Sequence, residues 1–260
     1  MNYKNIIIEN KDGIIVLTIS REKAMNALNQ QTMSELEQFF SKDAVNLQGL
    51  RGVIVTGAGE KAFVAGADIS EFTAFANDDT SLYAKRGQDI FFLIENFTKP
   101  VIAAVNGFAL GGGCELSMAC HLRVASENAK FGLPEVGLGI IPAYGGTQRL
   151  VQLIGKGRAL EMMMTGEMID AHTALQFGLV NHVAPKGEAV LKAKAILNKI
   201  IQKAPLAISG VIEAANAVFN EKQNGFEKEY KSFGKLTRTA DFKEGAKAFL
   251  EKRKANFTGQ

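Results

Sequence analysis

The stretch Val101-Ile102-Ala103-Ala104-Val105-Asn106-Gly107-Phe108-Ala109-Leu110-Gly111-Gly112-Gly113-Cys114-Glu115-Leu116-Ser117-Met118-Ala119-Cys120 decides the fold class. Its first five residues are a short apolar run of the kind that forms a buried strand, and Lys99-Pro100 ahead of them stops any preceding helix. Three consecutive glycines then lead directly into a helix carrying Cys114–Cys120. Asn106, Gly107, the glycines and Glu115 interrupt the apolar run, and a membrane helix would not carry them.

The same alternation extends on both sides. Ile6–Ile8 and Ile14–Ile19 flank Lys11-Asp12-Gly13, a hairpin signal. A helix is predicted near Thr32–Phe40, with Met33, Leu36 and Phe40 on one stripe, and a buried strand at Gly52–Thr56. Ser81–Phe97 reads as a long helix with Ile90, Phe91 and Ile94 on its apolar end. After Arg123–Ser126 come a glycine-rich loop region, Gly132–Gly146, and a helix near Thr147–Ile154. Asp170 caps a short helix that ends at Gly178. From about Glu188 only helices are predicted, with stripes such as Phe226, Tyr230 and Phe233. The class is α/β with a helical appendage: residues 1–190 form the core and 191–260 a helical region.

Composition narrows the function. A chain of 260 residues that is 47% hydrophobic can bury a large core, and 26 glycines with only 5 prolines and no low-complexity stretch argue against disorder. The formal charge of +3 is spread along the chain, which predicts no nucleic-acid partner but suits a small anionic ligand. The N-terminal apolar run is too short for a signal peptide, and no membrane association is expected. Cys114 and Cys120 lie too far apart on one helix for a disulfide and read as thiols in a reducing cytoplasm. His121, His172 and His182 fit no zinc spacing, so no metal is expected.

Two stretches place small residues where the chain is about to enter a helix: Ala65-Gly66-Ala67-Asp68, ahead of Ile69, Phe72 and Phe75, and Gly111-Gly112-Gly113. Free N–H groups at helix starts carry partial positive charge, and two aimed at one point make an oxyanion hole. Taken singly, such glycines more often serve tight turns. Glu115, nearly surrounded by apolar neighbours, and Glu135, in Phe131-Gly132-Leu133-Pro134-Glu135-Val136-Gly137-Leu138-Gly139, are lone carboxylates in apolar settings. Burial raises a carboxyl pKa and lets two such groups share acid and base duties. The plain alternative is a glutamate favoured at a helix start.

Gly57-Ala58-Gly59-Glu60-Lys61-Ala62 fits a dinucleotide-binding fingerprint, but Phe63-Val64-Ala65-Gly66 continues as extended chain where a helix is required, so no nicotinamide or flavin is expected. Neither a nucleophile elbow nor a P-loop occurs.

Taken together, these residues resemble the enoyl-CoA hydratase/isomerase (crotonase) superfamily over nearly the whole chain. The resemblance runs from Arg21-Glu22-Lys23-Ala24-Met25-Asn26-Ala27-Leu28 through Lys61–Ile69 and Asn106–Glu115 to Pro134-Glu135, Pro142, Gly145–Arg149 and Glu251–Phe257. The two glutamates with the closing lysine-rich segment resemble its hydratase branch. The resemblance implies a spiral of repeated ββα units followed by a helical trimerisation region, in a homotrimer or hexamer. It implies that the N–H groups of Ala67 and Gly112 hold the thioester oxygen, that Glu115 deprotonates the attacking water and that Glu135 exchanges the α-proton. Lys23, Ala24, Ala27, Ala65, Asp68 and Ile69 match coenzyme A-lining positions, and Phe249 and Lys252 match residues reaching the coenzyme from a neighbouring subunit; Lys252 is equally well read as a solvated lysine near a helix end. No cofactor is implied beyond the coenzyme A of an acyl-CoA substrate.

Two departures stand out. Glu22 replaces a frequent Pro, which alters only the turn. Ala143-Tyr144 replaces two small residues beside the water, so the bulky Tyr144 bears on the acyl-chain range. Related possibilities are a Δ3-Δ2-enoyl-CoA isomerase or another acyl-CoA lyase of the superfamily, and a non-catalytic or RNA-binding homologue; both glutamates favour hydration, and the scattered charge disfavours RNA.

Overall fold

The computed structural model describes residues 3–72, 80–220 and 222–260. The predicted apolar run Ile69, Phe72, Phe75 therefore reaches beyond them, since Phe75 lies outside the described residues. In chain order the elements are β1 (Ile6–Lys11), β2 (Ile14–Ile19), α1 (Gln30–Gln38), β3 (Gly52–Gly57), β4 (Ala62–Val64), α2 (Ile69–Phe72), α3 (Thr80–Glu95), β5 (Val101–Val105), β6 (Phe108–Leu110) and α4 (Gly112–Ala119). There follow β7 (Leu122–Ser126), β8 (Lys130–Gly132), α5 (Gly146–Ile154), α6 (Lys156–Thr165), β9 (Ile169–Asp170), α7 (Ala171–Phe177), β10 (His182–Ala184) and the helices α8 (Ala189–Ile200), α9 (Pro205–Asn216), α10 (Gly225–Leu236) and α11 (Ala240–Leu250).

The strands form two sheets, ordered β1-β2-β3-β5-β7-β10 and β4-β6-β8-β9. Strands β3, β5 and β7 run parallel in the first, and each is followed by a short strand (β4, β6, β8); these three run parallel to one another in the second, where β9 pairs antiparallel with β8. A helix then returns the chain to the next pair. This repeat of ββα steps is the crotonase spiral that the sequence resemblance implies.

Alternation along the strands explains why they read as unbroken apolar runs. Ile15, Leu17, Ile19, Val53, Val55, Val101, Ala103 and Val105 face one core, shared with Phe39, Phe63, Phe91 and Phe131. Ile14, Val16, Ile54, Ile102 and Ala104 face the other way, against Ala189, Ala193 and Leu197 of α8. A parallel sheet covered on both faces needs apolar side chains at every position. Helix α8 therefore packs on the sheet, although the sequence alone places it in the helical region that starts at residue 191. The helices that stand away from the sheet begin with α9. No residue of α9 or α10 is buried.

Several boundaries carry visible causes. Asp170 caps α7 by accepting from Thr173 N–H at 2.8 Å, and the helix closes at Gly178 in the left-handed region. Helix α1 runs on into one wide turn, Phe39–Asp43, which buries Phe39 and Phe40. The glycine fingerprint at Gly57 is followed by strand β4, not by a helix. Cys114 and Cys120 are both free thiols inside the core. Among the described residues no single helix is long and apolar enough to cross a membrane.

Candidate active site

A cavity of about 840 Å³ opens where β4, β6 and the start of α4 meet α3 and the 134–144 segment. That is within the size range of small-molecule sites. Ala65, Ala67, Ile69, Gly112, Glu115, Glu135, Ala143 and Tyr144, all singled out by sequence, line it.

Backbone geometry aims two amides at this space. Leu28 and Ala67 form a lone parallel bridge, in which Leu28 N–H donates to Gly66 C=O at 2.9 Å and Asp68 N–H donates to Leu28 C=O at 2.9 Å. Because both bonds are made by Ala67's neighbours, its own N–H points away from Leu28, toward the cavity. Gly112 is the first residue of α4, where an N–H has no partner within the helix. Among the described residues neither amide has an acceptor. The two sites are close: a Cβ built on Gly112 would lie 3.5 Å from Ala67 N. The glycines beside it are required by space. Gly111 has φ +49° and a Cβ there would meet Glu135 Oε1 at 2.8 Å, while one on Gly113 would meet Val64 O at 1.9 Å.

The two carboxyls differ in their surroundings. Glu115, in the first turn of α4 and 2% exposed, accepts through Oε1 from Tyr144 N–H at 2.8 Å and Gly146 N–H at 2.7 Å. Its pKa is pushed up to about 7, chiefly by burial and further by the Glu135 charge, against the opposing pull of those N–H groups and of Arg149. Glu135, in the first turn of the 3-10 segment Pro134–Leu138, is also raised by burial. Its Oε2 is buried and has no hydrogen-bond partner among the described residues. Both carboxyls are thus raised by burial; Glu115 is gripped by two backbone N–H donors, while Glu135 keeps one oxygen without a partner among the described residues.

Tyr144 is 4% exposed, and its ring stands in the cavity wall. The ring lies edge-on to Phe91, with centroids 5.5 Å apart, and 6.2 Å from Tyr83. It rests on Gly87 of α3, where a Cβ would come 2.2 Å from Tyr144 Cδ1. Burial and the neighbouring Tyr83 push its phenol well above the usual range.

Other expected residues lie elsewhere. The Asp68 carboxylate is taken by Arg21 Nη2 at 2.8 Å and by Ser70 Oγ at 2.6 Å, so it acts as a clip between segments. Asp68 does not line the cavity. Lys23, Ala24 and Ala27 sit on the loop leading to Leu28 and do not line the cavity. Phe249, 82% exposed, and Lys252, at φ +52°, are at the end of α11, also outside the cavity lining. Conversely, Tyr83, Leu110, Ile140 and Ile141 line it without having been singled out.

The model of the family described as enoyl-CoA hydratase/isomerase matches residues 9–260. The chain belongs to the enoyl-CoA hydratase/isomerase family. It is 47% identical to a crotonyl-CoA hydratase of Syntrophomonas wolfei, with 99% of each chain covered. It is 46% identical to a short-chain-enoyl-CoA hydratase of Clostridium acetobutylicum, covering 98% of this chain and 97% of that one. Among solved structures, an enoyl-CoA hydratase from Bacillus anthracis superposes with a TM-score of 0.92 at 38% identity, over 99% of this chain and 100% of the other.

Proposed function

We propose that this family member catalyses the reversible addition of water to the 2,3 double bond of a short trans-2-enoyl-CoA, giving the 3-hydroxyacyl-CoA. The observation that carries the reading is one cavity bounded by two unpaired amides and two carboxyls, one buried and one half-buried, both raised by burial. The short chain follows the relatives named for crotonyl-CoA and short-chain-enoyl-CoA hydration.

The Ala67 and Gly112 N–H groups receive the thioester oxygen, where negative charge develops as the β-carbon is attacked; one such donor contributes roughly 2.7–4 kcal/mol in well-studied oxyanion holes. Ionised Glu115 takes a proton from water as the water oxygen bonds to the β-carbon. Protonated Glu135 gives its proton to the α-carbon, and the enolate collapses to the thioester. Proton exchange then restores the pair. No group beyond the coenzyme A of the substrate takes part.

The coenzyme runs over the loop carrying Lys23, Ala24 and Ala27. The chain works as a homotrimer, with trimers pairing into hexamers, and Phe249 and Lys252 of one subunit approach the coenzyme bound by the next. Residues 191–260 serve this assembly, and the enzyme is cytoplasmic. The decisive measurement is loss of the conjugated enoyl-thioester absorbance with crotonyl-CoA and longer trans-2-enoyl-CoAs. Turnover fastest on crotonyl-CoA is expected, and absence of turnover on every chain length would overturn the reading.

A further inference from the structure

Glu115 is held by a loop that is itself held from behind. Three successive peptide units do this. The N–H groups of Tyr144 and Gly146 both turn toward Glu115 Oε1, while the carbonyl of Tyr144, on the peptide between them, turns the opposite way and accepts from Arg149 Nη1 at 2.9 Å. Successive N–H groups converging on one anionic oxygen form a nest, and a nest persists only if its peptides cannot rotate. Gly145 supplies the needed φ of +102°. A Cβ at that position would lie 2.3 Å from Arg149 Nη1, so the glycine also admits the guanidinium.

Arg149 is 5% exposed and can be in one place only. Its Nε and Nη2 donate to the two carboxylate oxygens of Glu95 at 3.0 and 2.9 Å, a fork that fixes the plane of the guanidinium. The guanidinium carbon lies over the Phe92 ring, 5.1 Å from its centroid. Glu95 is the last residue of α3, and its backbone carbonyl accepts from Asn216 Nδ2 at 2.7 Å and lies 3.0 Å from His121 Nε2. His121 Nδ1 accepts from Val101 N–H, so Nε2 carries the proton and donates. Neither Arg149 nor Glu95 lines the cavity.

We propose that Arg149, locked by Glu95, is a positioning residue for hydration: it holds the 143–146 loop so that two amides grip Glu115 and aim its carboxylate at the water. The inference rests on the hydratase reading above. It assigns a function to a partly buried ion pair that the chemistry itself does not use, and it extends the support of the catalytic base to α9 through Asn216.

The test compares Arg149→Lys, which keeps the charge but not the fork, with Arg149→Met and Glu95→Gln. Removing one partner of a buried pair endangers folding, so rates are taken per folded molecule, and Arg149→Lys and Glu95→Gln keep the test alive if Arg149→Met does not fold. We expect kcat on crotonyl-CoA to fall at least tenfold in each, with KM changed less than threefold. The titratable and charged groups facing Glu115 are Glu135, Arg149, Tyr144 and the Cys114 thiol. Of these, loss of Arg149 removes the one cation, so in Arg149→Met the rising limb of the pH profile moves to higher pH, and it moves less in Arg149→Lys. A carbon-13 titration of the glutamate carboxyls, with Glu115 assigned through Glu115→Gln, reads the same shift without turnover. Wild-type turnover by itself decides the hydratase reading. Unchanged kcat and pH limb, a loss confined to KM, or an unmoved Glu115 titration would each overturn the positioning role.

Discussion

Helices α4 and α10 are both short and both carry the functional weight of their region, yet they are opposites. Every residue of α4, from Gly112 to Ala119, is buried, glutamate included. No residue of α10 is buried, and its Phe226, Tyr230 and Phe233 are 85%, 63% and 69% exposed. An apolar helix that is hydrophobic all round belongs inside one chain, while an amphipathic one with an uncovered aromatic stripe calls for a surface outside it. The first region is complete within the single chain. The second leaves its aromatic stripe uncovered within the single chain.

The largest expected effect lies in the complete region. Glu115→Gln and Glu135→Gln should each lower hydration by about 10²-fold or more while the protein stays folded, because a positioned acid or base typically contributes about 10²–10⁴-fold. The pH dependence follows in sign. A carboxyl raised to about 7 is protonated below that pH and ionised above it, so a Glu115 that must accept a proton gives a rate rising with pH through about 7. Glu115→Gln should abolish that limb. Near-normal turnover in either variant would remove that residue from the mechanism.

The next effect breaks the other side of the comparison. If α10 and its neighbours are half of an interface, Phe233→Glu should place a charge in an apolar contact and shift the mass in solution from trimer or hexamer toward monomer, as read by light scattering at micromolar concentration. Helix α4 and the sheet should be unaffected, so the far-ultraviolet circular dichroism should hold. A monomeric wild type would mean that the exposed stripe has some other partner.

The two regions were also unequally legible. The strands β3 and β5 and the glycine start of α4 stand out in sequence because full burial on both faces demands unbroken apolar runs. The helical appendage shows through its stripes. What sequence withholds is convergence. That Ala67 and Gly112 point at one place depends on the Leu28 bridge, a contact 39 residues distant in sequence from its partner amide. Strands β4, β6 and β8 have three residues each, too few for a period to register. Arg149 and Glu95 read as ordinary charges at helical positions, and only the fold reveals that they are buried against each other. The clip from Asp68 to Arg21 is hidden for the same reason, since it spans 47 residues.

The smallest effect concerns the wall that Tyr144 shares with α3. Gly87 costs the helix roughly 1 kcal/mol relative to Ala, and the ring lying on it is the reason it is there. Two substitutions therefore act in opposite directions. Tyr144→Ala removes the ring and should widen the range of acyl chains accepted, raising kcat/KM for the longer thioesters against crotonyl-CoA. Gly87→Ala puts a methyl where the ring is and should drive the ring toward the cavity, narrowing the range. Each methylene that a pocket accepts or rejects is worth roughly 1–3 kcal/mol and adjacent even chain lengths differ by two, so either change should be visible as a shift of at least about tenfold in their ratio of kcat/KM. Overpacking at Gly87 also destabilises by roughly 1–3 kcal/mol, which a melting curve separates from the specificity effect. If both variants keep the wild-type chain-length profile, the acyl chain does not reach Tyr144, and the limit on chain length is set by other lining residues such as Ile140 and Ile141 or by a neighbouring subunit.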